Sequence, residues 1–239
     1  MKIGLIGSNG RMCREIKALL DLESDSVLEY YRGCSVPMSE VFKNSEVVID
    51  FSSPDALNMA IDNADIYKTP LLSGTTGIDE SILNKMSNVA SRTKILWTSN
   101  TSLGIYVTRR LSFIATKMLT DEYDIDVIET HHTKKKDNPS GTAITIANDI
   151  KDALEKETKI NLNPSQMREQ NEIHVHGIRR GDVFGEHSVI FSGDMDSIEI
   201  KHTAFNRRIF ASSAIKIAKK MLQTEHPNRL MTIDDIYTL

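Results

Sequence analysis

The chain has 239 residues, of which 40% are hydrophobic and 26% are charged, as in globular proteins rather than disordered or membrane proteins. Its formal charge of −4 provides no overall positive field that would attract nucleic acid. Only Cys13 and Cys34 occur, too few for a disulfide framework and typical of a reducing compartment.

The amino-terminal stretch MKIGLIGSNG has an apolar run that is too short for a signal peptide. No segment approaches the roughly 18 to 20 apolar residues that a membrane-spanning helix needs. We therefore expect a cytoplasmic protein that contacts neither membranes nor nucleic acid.

Short apolar strands alternate with amphipathic helices from Lys2 to Thr98. The predicted strands cover 2–6, 26–31, 47–51, 70–73 and 94–98, and the predicted helices start near Arg11 and cover 55–67 and 80–91. Strands that alternate with helices predict a parallel sheet with helices on both faces.

The pattern changes after residue 101. A helix carrying Val107, Leu111, Ile114 and Met118 on one face precedes a strand over 124–130, a helix over 141–154 and an irregular connection over about 158–170 that includes Asn163-Pro164. Three strand-like runs between 172 and 204 predict an antiparallel meander, and a last helix follows. An α/β domain and a smaller α+β domain are therefore expected.

Small-residue turns follow the ends of three predicted strands. In the first, Gly7 permits a tight turn, Gly10 permits close approach of a ligand, and Arg11 adds charge at a helix start. The spacing is not G-x-G-x-x-G, so a structural turn and a dinucleotide site both remain open for this motif alone. The turns GTTG (74–77) and TSNTS (98–102) also lie where ligands bind in open α/β sheets, which favours a cofactor crevice.

The loop HHTKKKDNPSGTA (131–143) gathers proton-bearing side chains before a helix start. His131, His132 and Lys135 could exchange protons or bind carboxylates, and the helix start at Ser140-Gly141-Thr142 could bind an anion. Alternatively, a hydroxyl there simply caps the helix. Adjacent histidines point apart in a strand and no other metal motif accompanies them, so no metal site is expected.

Seven stretches match one known family: GSNGRM (7–12), VVIDFSSP (47–54), SGTTG (73–77), SNTSLG (99–104), E-x-HH-x-x-K-x-D-x-PSGTA (129–143), RRGDVFGEHSVIF (179–191) and HTAFNRRIFA (202–211). On these motifs the chain resembles the 4-hydroxy-tetrahydrodipicolinate reductases, also called dihydrodipicolinate reductases, nearly from end to end. The loop motif is specific to that family, whereas the glycine turn is not.

The resemblance implies a Rossmann-like dinucleotide-binding domain over 1–101 plus 212–239 and a substrate-binding and tetramerisation domain over 102–211. It implies a homotetramer that reduces a cyclic dicarboxylate with NADPH or NADH in lysine and diaminopimelate biosynthesis. His131 would then be the acid–base residue and Lys135 the proton donor, with substrate carboxylates held by His132, Ser140, Gly141 and Thr142. The residues implied at the cofactor are Gly7, Ser8, Asn9, Gly10, Arg11, Met12, Gly74, Thr75, Thr76, Thr98, Ser99, Asn100 and Thr101.

Three positions depart from the family pattern. Cys13 replaces the glycine that usually closes the front motif, and Thr101 stands where an aromatic residue is common. Arg32, after the second strand, offers no acid for a ribose hydroxyl but could meet a 2′-phosphate, as in NADPH. The alternatives are a protein that senses NAD(P) without turnover and a related amino-acid dehydrogenase, and the intact 129–143 motif argues against both.

Overall fold

The computed structural model describes residues 1–23, 25–119, 122–162, 164 and 167–237. The chain divides into two compact units, Met1–Ser102 with Arg207–Leu239, and Leu103–Asn206. Among the described residues, no helix is both long enough and apolar enough to span a membrane.

The elements follow one another in this order: β1 (Lys2–Ile6), α1 (Arg11–Glu23), β2 (Ser26–Tyr30), α2 (Met38–Asn44), β3 (Val47–Asp50), α3 (Pro54–Tyr67), β4 (Leu71–Ser73), α4 (Glu80–Val89), β5 (Ile95–Trp97), α5 (Leu103–Leu119), β6 (Asp124–His131), α6 (Gly141–Leu154), β7 (Lys159–Asn161), β8 (Glu172–Arg179), β9 (Glu186–Ser192), β10 (Ser197–Thr203) and α7 (Arg208–Gln223).

The first unit is built on a five-stranded parallel sheet with the order β2-β1-β3-β4-β5. Every residue of β3 is buried, as expected of a strand that is covered on both faces. The last helix, α7, packs against α1, β3 and β4 and so belongs to this unit. The predicted Rossmann-like α/β fold is confirmed, and the strand order reverses between β1 and β3.

Two short elements were not predicted. The seven-residue helix α2 buries Met38, Val41 and Phe42, but it is too short for its periodicity to stand out in the sequence. The three-residue strand β7 lies in the segment predicted to be irregular and pairs with β8 at a sheet edge. Asn163 of that segment lies outside the described residues.

The sheet of the second unit has the order β10-β9-β6-β8-β7. β6 is central, parallel to β8 and antiparallel to β9, while β9 and β10 form an antiparallel pair. The predicted meander is therefore wrong for β8 and β9, because β6 lies between them. Ile125 of β6 is opposite both Ile173 and Phe191, and such long-range register is not visible in local turn patterns.

The two faces of this second sheet differ in polarity. Ile125, Val127 and Val189 pack with residues of α6 in an apolar core. The opposite face carries polar residues such as His174 and Glu199, as expected from strand alternation. The apolar stripe on α5 is not part of the core: Leu111 is 48% exposed and Met118 is 78% exposed.

Candidate active site

The glycine turn between β1 and α1 has the shape of an anion-binding turn. Gly7 has φ +80°, and its N–H and that of Ser8 both donate to Tyr30 O, at 2.9 and 3.1 Å. A Cβ at Gly7 would lie 2.6 Å from Phe51 O, so only glycine fits here. α1 begins at Arg11, and the first N–H groups of any helix lack intrahelical partners. The turn therefore presents donors at the carboxyl end of β1.

The surroundings of this turn fit a dinucleotide. The Ser8 hydroxyl is buried and has no hydrogen-bond partner among the described residues, so it remains available to a ligand. A pocket of about 480 Å³ adjoins the turn and is lined in part by Gly10, Arg32 and Ser53. A pyrophosphate suits the turn, and a ribose with its substituents suits the pocket beside Arg32.

A buried carboxylate holds together the turns that follow β3 and β4. Asp50 is fully buried and accepts hydrogen bonds from Ser73 Oγ and Thr75 Oγ1, both at 2.7 Å, and from Ser52 Oγ. Burial raises the pKa of Asp50, although these hydroxyl donors act in the opposite direction. Thr75 Oγ1 also accepts from Ser52 N at 2.9 Å, so the two turns are linked directly. This role of Asp50 was not predicted from the sequence.

In the same GTTG turn, Gly74 is a steric requirement and Thr76 is exposed. A Cβ on Gly74 would lie 2.1 Å from a ring carbon of Phe51. The Thr75 carbonyl accepts a hydrogen bond from Trp97 Nε1 at 2.9 Å, which fixes the turn against β5. This leaves Thr76 as the residue of the turn whose side chain is open to a ligand.

The turn after β5 is shaped by its own side chains. Thr98 Oγ1 donates to Asn100 O at 2.8 Å, and Ser102 N donates to Asn100 Oδ1 at the same distance. Thr101 is buried and its hydroxyl donates to Phe210 O at 2.8 Å, so this departure from the family pattern anchors the turn to α7. Cys13, the other departure, is buried with its Sγ 3.5 Å from Ile6 O.

In the second unit, Glu129 is the centre of the loop's hydrogen-bond network. It is fully buried and bonds to Nδ1 of His131. Arg179 donates to both of its carboxylate oxygens, at 2.9 and 2.8 Å, and Ser140 N donates to Oε1 at 3.0 Å. Burial alone would raise the pKa of Glu129, but bonds from His131 and Arg179 outweigh it and lower the pKa to about 2. Glu129 is therefore a fixed anion.

The pairing of Glu129 with His131 sets the chemistry of the imidazole. A carboxylate on Nδ1 accepts the proton of that nitrogen, which leaves Nε2 for exchange with a ligand. A Cβ on Gly185 would lie only 3.1 Å from His131 Nε2, so glycine keeps this nitrogen accessible. The roles of Glu129 and Arg179 were not predicted, although the E-x-H spacing places Glu129 and His131 on one strand face.

A second histidine lies beside the first. The ring of His187 meets that of His131 edge-to-face at 5.2 Å, and its Nε2 lies 3.3 Å from Ser140 Oγ. Burial lowers the pKa of His187 to about 3, with His131 acting in the same direction. His187 is therefore neutral at physiological pH and supports the site without adding charge. This role of His187 was not predicted from the sequence either.

The start of α6 separates the capping residue from the ligand-facing residues. Ser140 is buried and its Oγ accepts from Ala143 N at 3.2 Å, which makes it the N-cap of α6. Gly141 is exposed, and a Cβ there would meet no atom within 4 Å. The N–H of Gly141 bonds to the Asp137 carboxylate, and Thr142 follows in the first turn of the helix, a position at which anions bind in many proteins.

The lysine of the loop is held by an adjacent acid. Lys135 Nζ lies 2.8 Å from Asp137 Oδ2, and Lys135 N donates to His132 O at 3.1 Å. The turn from His132 to Lys135 thus returns the chain toward His131. Burial opposes the effect, but the bond from Lys135 lowers the pKa of Asp137. His131, His132, Lys135 and the start of α6 therefore belong to one tightly folded loop.

Comparison with known proteins matches nearly the whole chain to one family. The models for the amino-terminal and carboxy-terminal parts of dihydrodipicolinate reductase match residues 1–101 and 104–237. A 4-hydroxy-tetrahydrodipicolinate reductase from Campylobacter jejuni subsp. doylei is 36% identical, over 99% of this chain and 96% of that protein. One from Clostridium novyi is 35% identical, over 98% and 97% of the two chains.

Solved structures show the same fold. The dipicolinate-bound dihydrodipicolinate reductase from Paenisporosarcina sp. TG-14 superposes with a TM-score of 0.77 at 18% identity, covering 98% of both chains. A probable dehydrogenase from Thermotoga maritima superposes with a TM-score of 0.59 at 9% identity, covering 93% of this chain and 88% of that one. From its sequence and its fold together, this chain belongs to the dihydrodipicolinate reductase family.

Proposed function

We propose that this chain reduces 4-hydroxy-tetrahydrodipicolinate to tetrahydrodipicolinate, in lysine and diaminopimelate biosynthesis. NADPH or NADH supplies the hydride for this reaction. The observation that carries the proposal is the Glu129–His131 pair, which bonds to the residue that caps the start of α6. A carboxylate-oriented histidine and a site for anions are the groups that reduction of a dicarboxylate requires.

The turns of the first unit would bind the dinucleotide. Ser8 and Arg11, with the N–H groups at the start of α1, would hold the pyrophosphate. Arg32 lines the adjoining pocket and would meet the ribose or its 2′-phosphate. The remaining contacts would come from two turns, Gly74–Thr76 and Thr98–Thr101.

The loop of the second unit would bind the two carboxylates of the substrate. Gly141 and Thr142 lie at a helix start, where a carboxylate could replace Asp137 at the N–H of Gly141, and His132 lies at the opposite end of the same loop. The dihydrodipicolinate reductase structure with dipicolinate bound carries a planar ring dicarboxylate of the same kind. Ser140 would act indirectly, as the cap that fixes the helix start.

The same loop would deliver the proton that balances hydride addition. The Lys135 side chain is paired with Asp137 and remains partly exposed, and its ammonium group carries a proton that it can donate. His131 presents Nε2 and would share or relay that proton, while Glu129 holds the ring in place. The substrate hydroxyl would leave as water, as the names of substrate and product require.

We further propose that the protein is a cytoplasmic homotetramer. The first unit would be the dinucleotide-binding domain, and the second would bind substrate and mediate assembly. Among the described residues of the second unit, α6 packs on the apolar face of the sheet, which leaves the polar face as the candidate surface for other copies of the chain. Light scattering at micromolar concentration should give the mass of four chains, and a stable monomer would contradict this.

The activity is tested by oxidation of NADPH in the presence of 4-hydroxy-tetrahydrodipicolinate. We expect substrate-dependent turnover that pyridine-2,6-dicarboxylate inhibits competitively, because this flat dicarboxylate would occupy the same loop. Calorimetry with NADPH alone is the control. If NADPH bound tightly and no turnover occurred with the substrate, the chain would instead be a nucleotide-binding protein without this activity.

A further inference from the structure

Three potential metal ligands converge on the polar face of the second unit's sheet, apart from the residues of the 131–143 loop. His174 and His176 lie two residues apart on β8 and so point to the same face. Asp126 of β6 is the register partner of His174. One ligand atom from each of the three residues lies within 4.8 Å of the other two.

The inner histidine of this cluster is oriented as a metal ligand would be. Glu172 Oε2 lies 2.9 Å from His174 Nε2 and so accepts the proton on that nitrogen. The other nitrogen, Nδ1, therefore carries a lone pair, and it lies 3.9 Å from Asp126 Oδ1, beyond hydrogen-bonding distance. His174 Nδ1 makes no hydrogen bond within the described part of the chain, although only 8% of this side chain is exposed.

We propose that Asp126, His174 and His176 form a binding site for a divalent first-row transition ion of the Zn²⁺ type. Two imidazoles and one carboxylate are typical ligands of such ions. Ligands bonded at about 2.0 to 2.2 Å in a tetrahedron lie about 3.4 Å apart, so small side-chain rotations would close this cluster around an ion. The His176 side chain is 38% exposed in the single chain, so the fourth position is open to water or, in the proposed assembly, to a ligand from another copy.

The neighbouring charges permit an ion here. Arg168 Nη2 donates to Asp126 Oδ2 at 2.7 Å, which occupies the carboxylate oxygen that faces away from the histidines. The other carboxylate oxygen, Asp126 Oδ1, bonds to His176 Nε2 at 3.0 Å and would become the ligand of the ion. Lys159 lies on the far side of Glu172, with its Nζ 2.6 Å from Oε1. Glu172 is thus an outer carboxylate that orients His174, an arrangement common at zinc sites.

The test is an isothermal titration of Zn²⁺ into the 239-residue chain in chelator-free buffer. Wild type should bind one equivalent at this cluster, and His174→Asn and His176→Asn should each weaken binding at least tenfold. Glu172→Gln should weaken it about 10- to 100-fold through the orientation of His174. Zn²⁺ should also raise the melting temperature of wild type and not that of the two histidine variants.

Two controls separate this cluster from other histidines. His226→Asn removes a histidine that bonds to Ala90 O in the first unit, and it should leave Zn²⁺ affinity unchanged. A double variant, His131→Asn with His132→Asn, should also keep the ion, because the proposed site excludes the loop. X-ray absorption of Zn²⁺-loaded wild type should show a four-coordinate ion with two imidazoles and at least one oxygen ligand, and this measurement needs no variant to fold.

The proposal is overturned if wild type binds no Zn²⁺ at micromolar concentration, or if both His174→Asn and His176→Asn bind it as tightly as wild type. Loss of binding in the loop double variant alone would place the ion at the loop instead. None of these outcomes depends on NADPH oxidation, so the metal site and the proposed reductase activity can fail independently.

Discussion

The fully buried carboxylate of Glu129 bonds to Nδ1 of His131 while Arg179 donates to both of its oxygens. Arg179 is also the register partner of His131 on the neighbouring strand. The imidazole is therefore fixed by an anion that is itself fixed by a guanidinium. Proton exchange at His131 is therefore directed to its other ring nitrogen, Nε2.

Glu129→Gln should lower kcat because it replaces the anion that orients His131 by a neutral amide. In a serine protease, removing the equivalent orienting carboxylate costs about 10⁴ in kcat, and we expect a loss of about 10²- to 10⁴-fold here. The dissociation constant of NADPH should stay near that of wild type. Steady-state kinetics and calorimetry of the folded variant check both values, and an unchanged kcat would show that the orientation of His131 is irrelevant.

Lys135→Ala and His131→Ala should each lower kcat by about 10²- to 10⁴-fold, since each removes a group that delivers the proton. Asp137→Asn is the matched control, because it removes the partner of Lys135 and leaves the lysine in place. Its kcat should fall far less. Near-wild-type kcat in both Lys135→Ala and His131→Ala would mean that the loop only binds substrate.

Thr142→Val and Ser140→Ala should separate substrate binding from helix capping. Thr142→Val removes a donor to a carboxylate that persists into the transition state, so KM should rise about 10- to 150-fold with a smaller change in kcat. Ser140→Ala removes the N-cap of α6 and should lower the free energy of unfolding by about 1 kcal/mol. Kinetics and denaturant unfolding of both variants provide the comparison. A larger KM effect from Ser140→Ala would reverse these roles.

Gly10→Val should weaken the binding of both cofactors, whereas Arg32→Ala should change the preference between NADPH and NADH. A Cβ at Gly10 would lie 3.0 Å from Gly7 O, so valine distorts the turn and should weaken NADPH and NADH alike. Arg32→Ala should weaken NADPH more than NADH, because only NADPH carries a 2′-phosphate. Calorimetric titration with both cofactors measures this. Equal losses for NADPH and NADH in Arg32→Ala would remove Arg32 from the phosphate site.

His187 should make the protein less stable as the pH falls. Its pKa is lowered to about 3 in the folded state, whereas an unfolded histidine titrates at about 6.5. Between these values the unfolded chain binds the additional proton, so stability is full above about pH 6.5 and decreases by up to about 1.4 kcal/mol per pH unit below it. Denaturant unfolding at about pH 7.5 and about pH 5 should show a loss of about 2 kcal/mol from this residue.

His187→Gln should remove that part of the pH dependence, and His226→Gln, which changes a histidine in the first unit, should not. Glu129 does not interfere in this range. Its pKa is lowered to about 2, so its contribution is present above about pH 4.5 and is lost only below that value. An equal slope in wild type and His187→Gln would show that His187 is not buried as a neutral imidazole.

Local patterns in the sequence were sufficient for much of the fold. β1 and α6 begin and end where they were predicted, because β1 is a continuous apolar run that ends at a glycine turn and α6 is long enough to display a helical period. α2 and β7 were missed because seven and three residues show too little periodicity. The position of β6 between β8 and β9 depends on register between distant residues, which no local window contains.

The candidate site was predictable to a similar extent: residues within one motif could be found, whereas contacts between distant residues could not. His131, Lys135 and the start of α6 stand together in one motif, so they could be found from residue types and spacing. Arg179 lies 50 residues from Glu129, and their pairing follows from the parallel alignment of β6 and β8. Three hydroxyls, two of them buried, converge on Asp50 from positions up to 25 residues away, and no local pattern contains such a network.

The Asp50 network has a consequence for how this sequence can diverge. The Asp50 carboxylate accepts from three hydroxyls near the ends of β3 and β4, so the loss of Ser52, Ser73 or Thr75 removes one donor from a buried anion, and the loss of Asp50 removes the acceptor of all three. We therefore expect a substitution at one of these four positions to be accompanied by substitutions at the others. Among related sequences, the residue types of the turns after β3 and β4 should covary. The exposed Thr76 beside them should vary independently unless it contacts the cofactor.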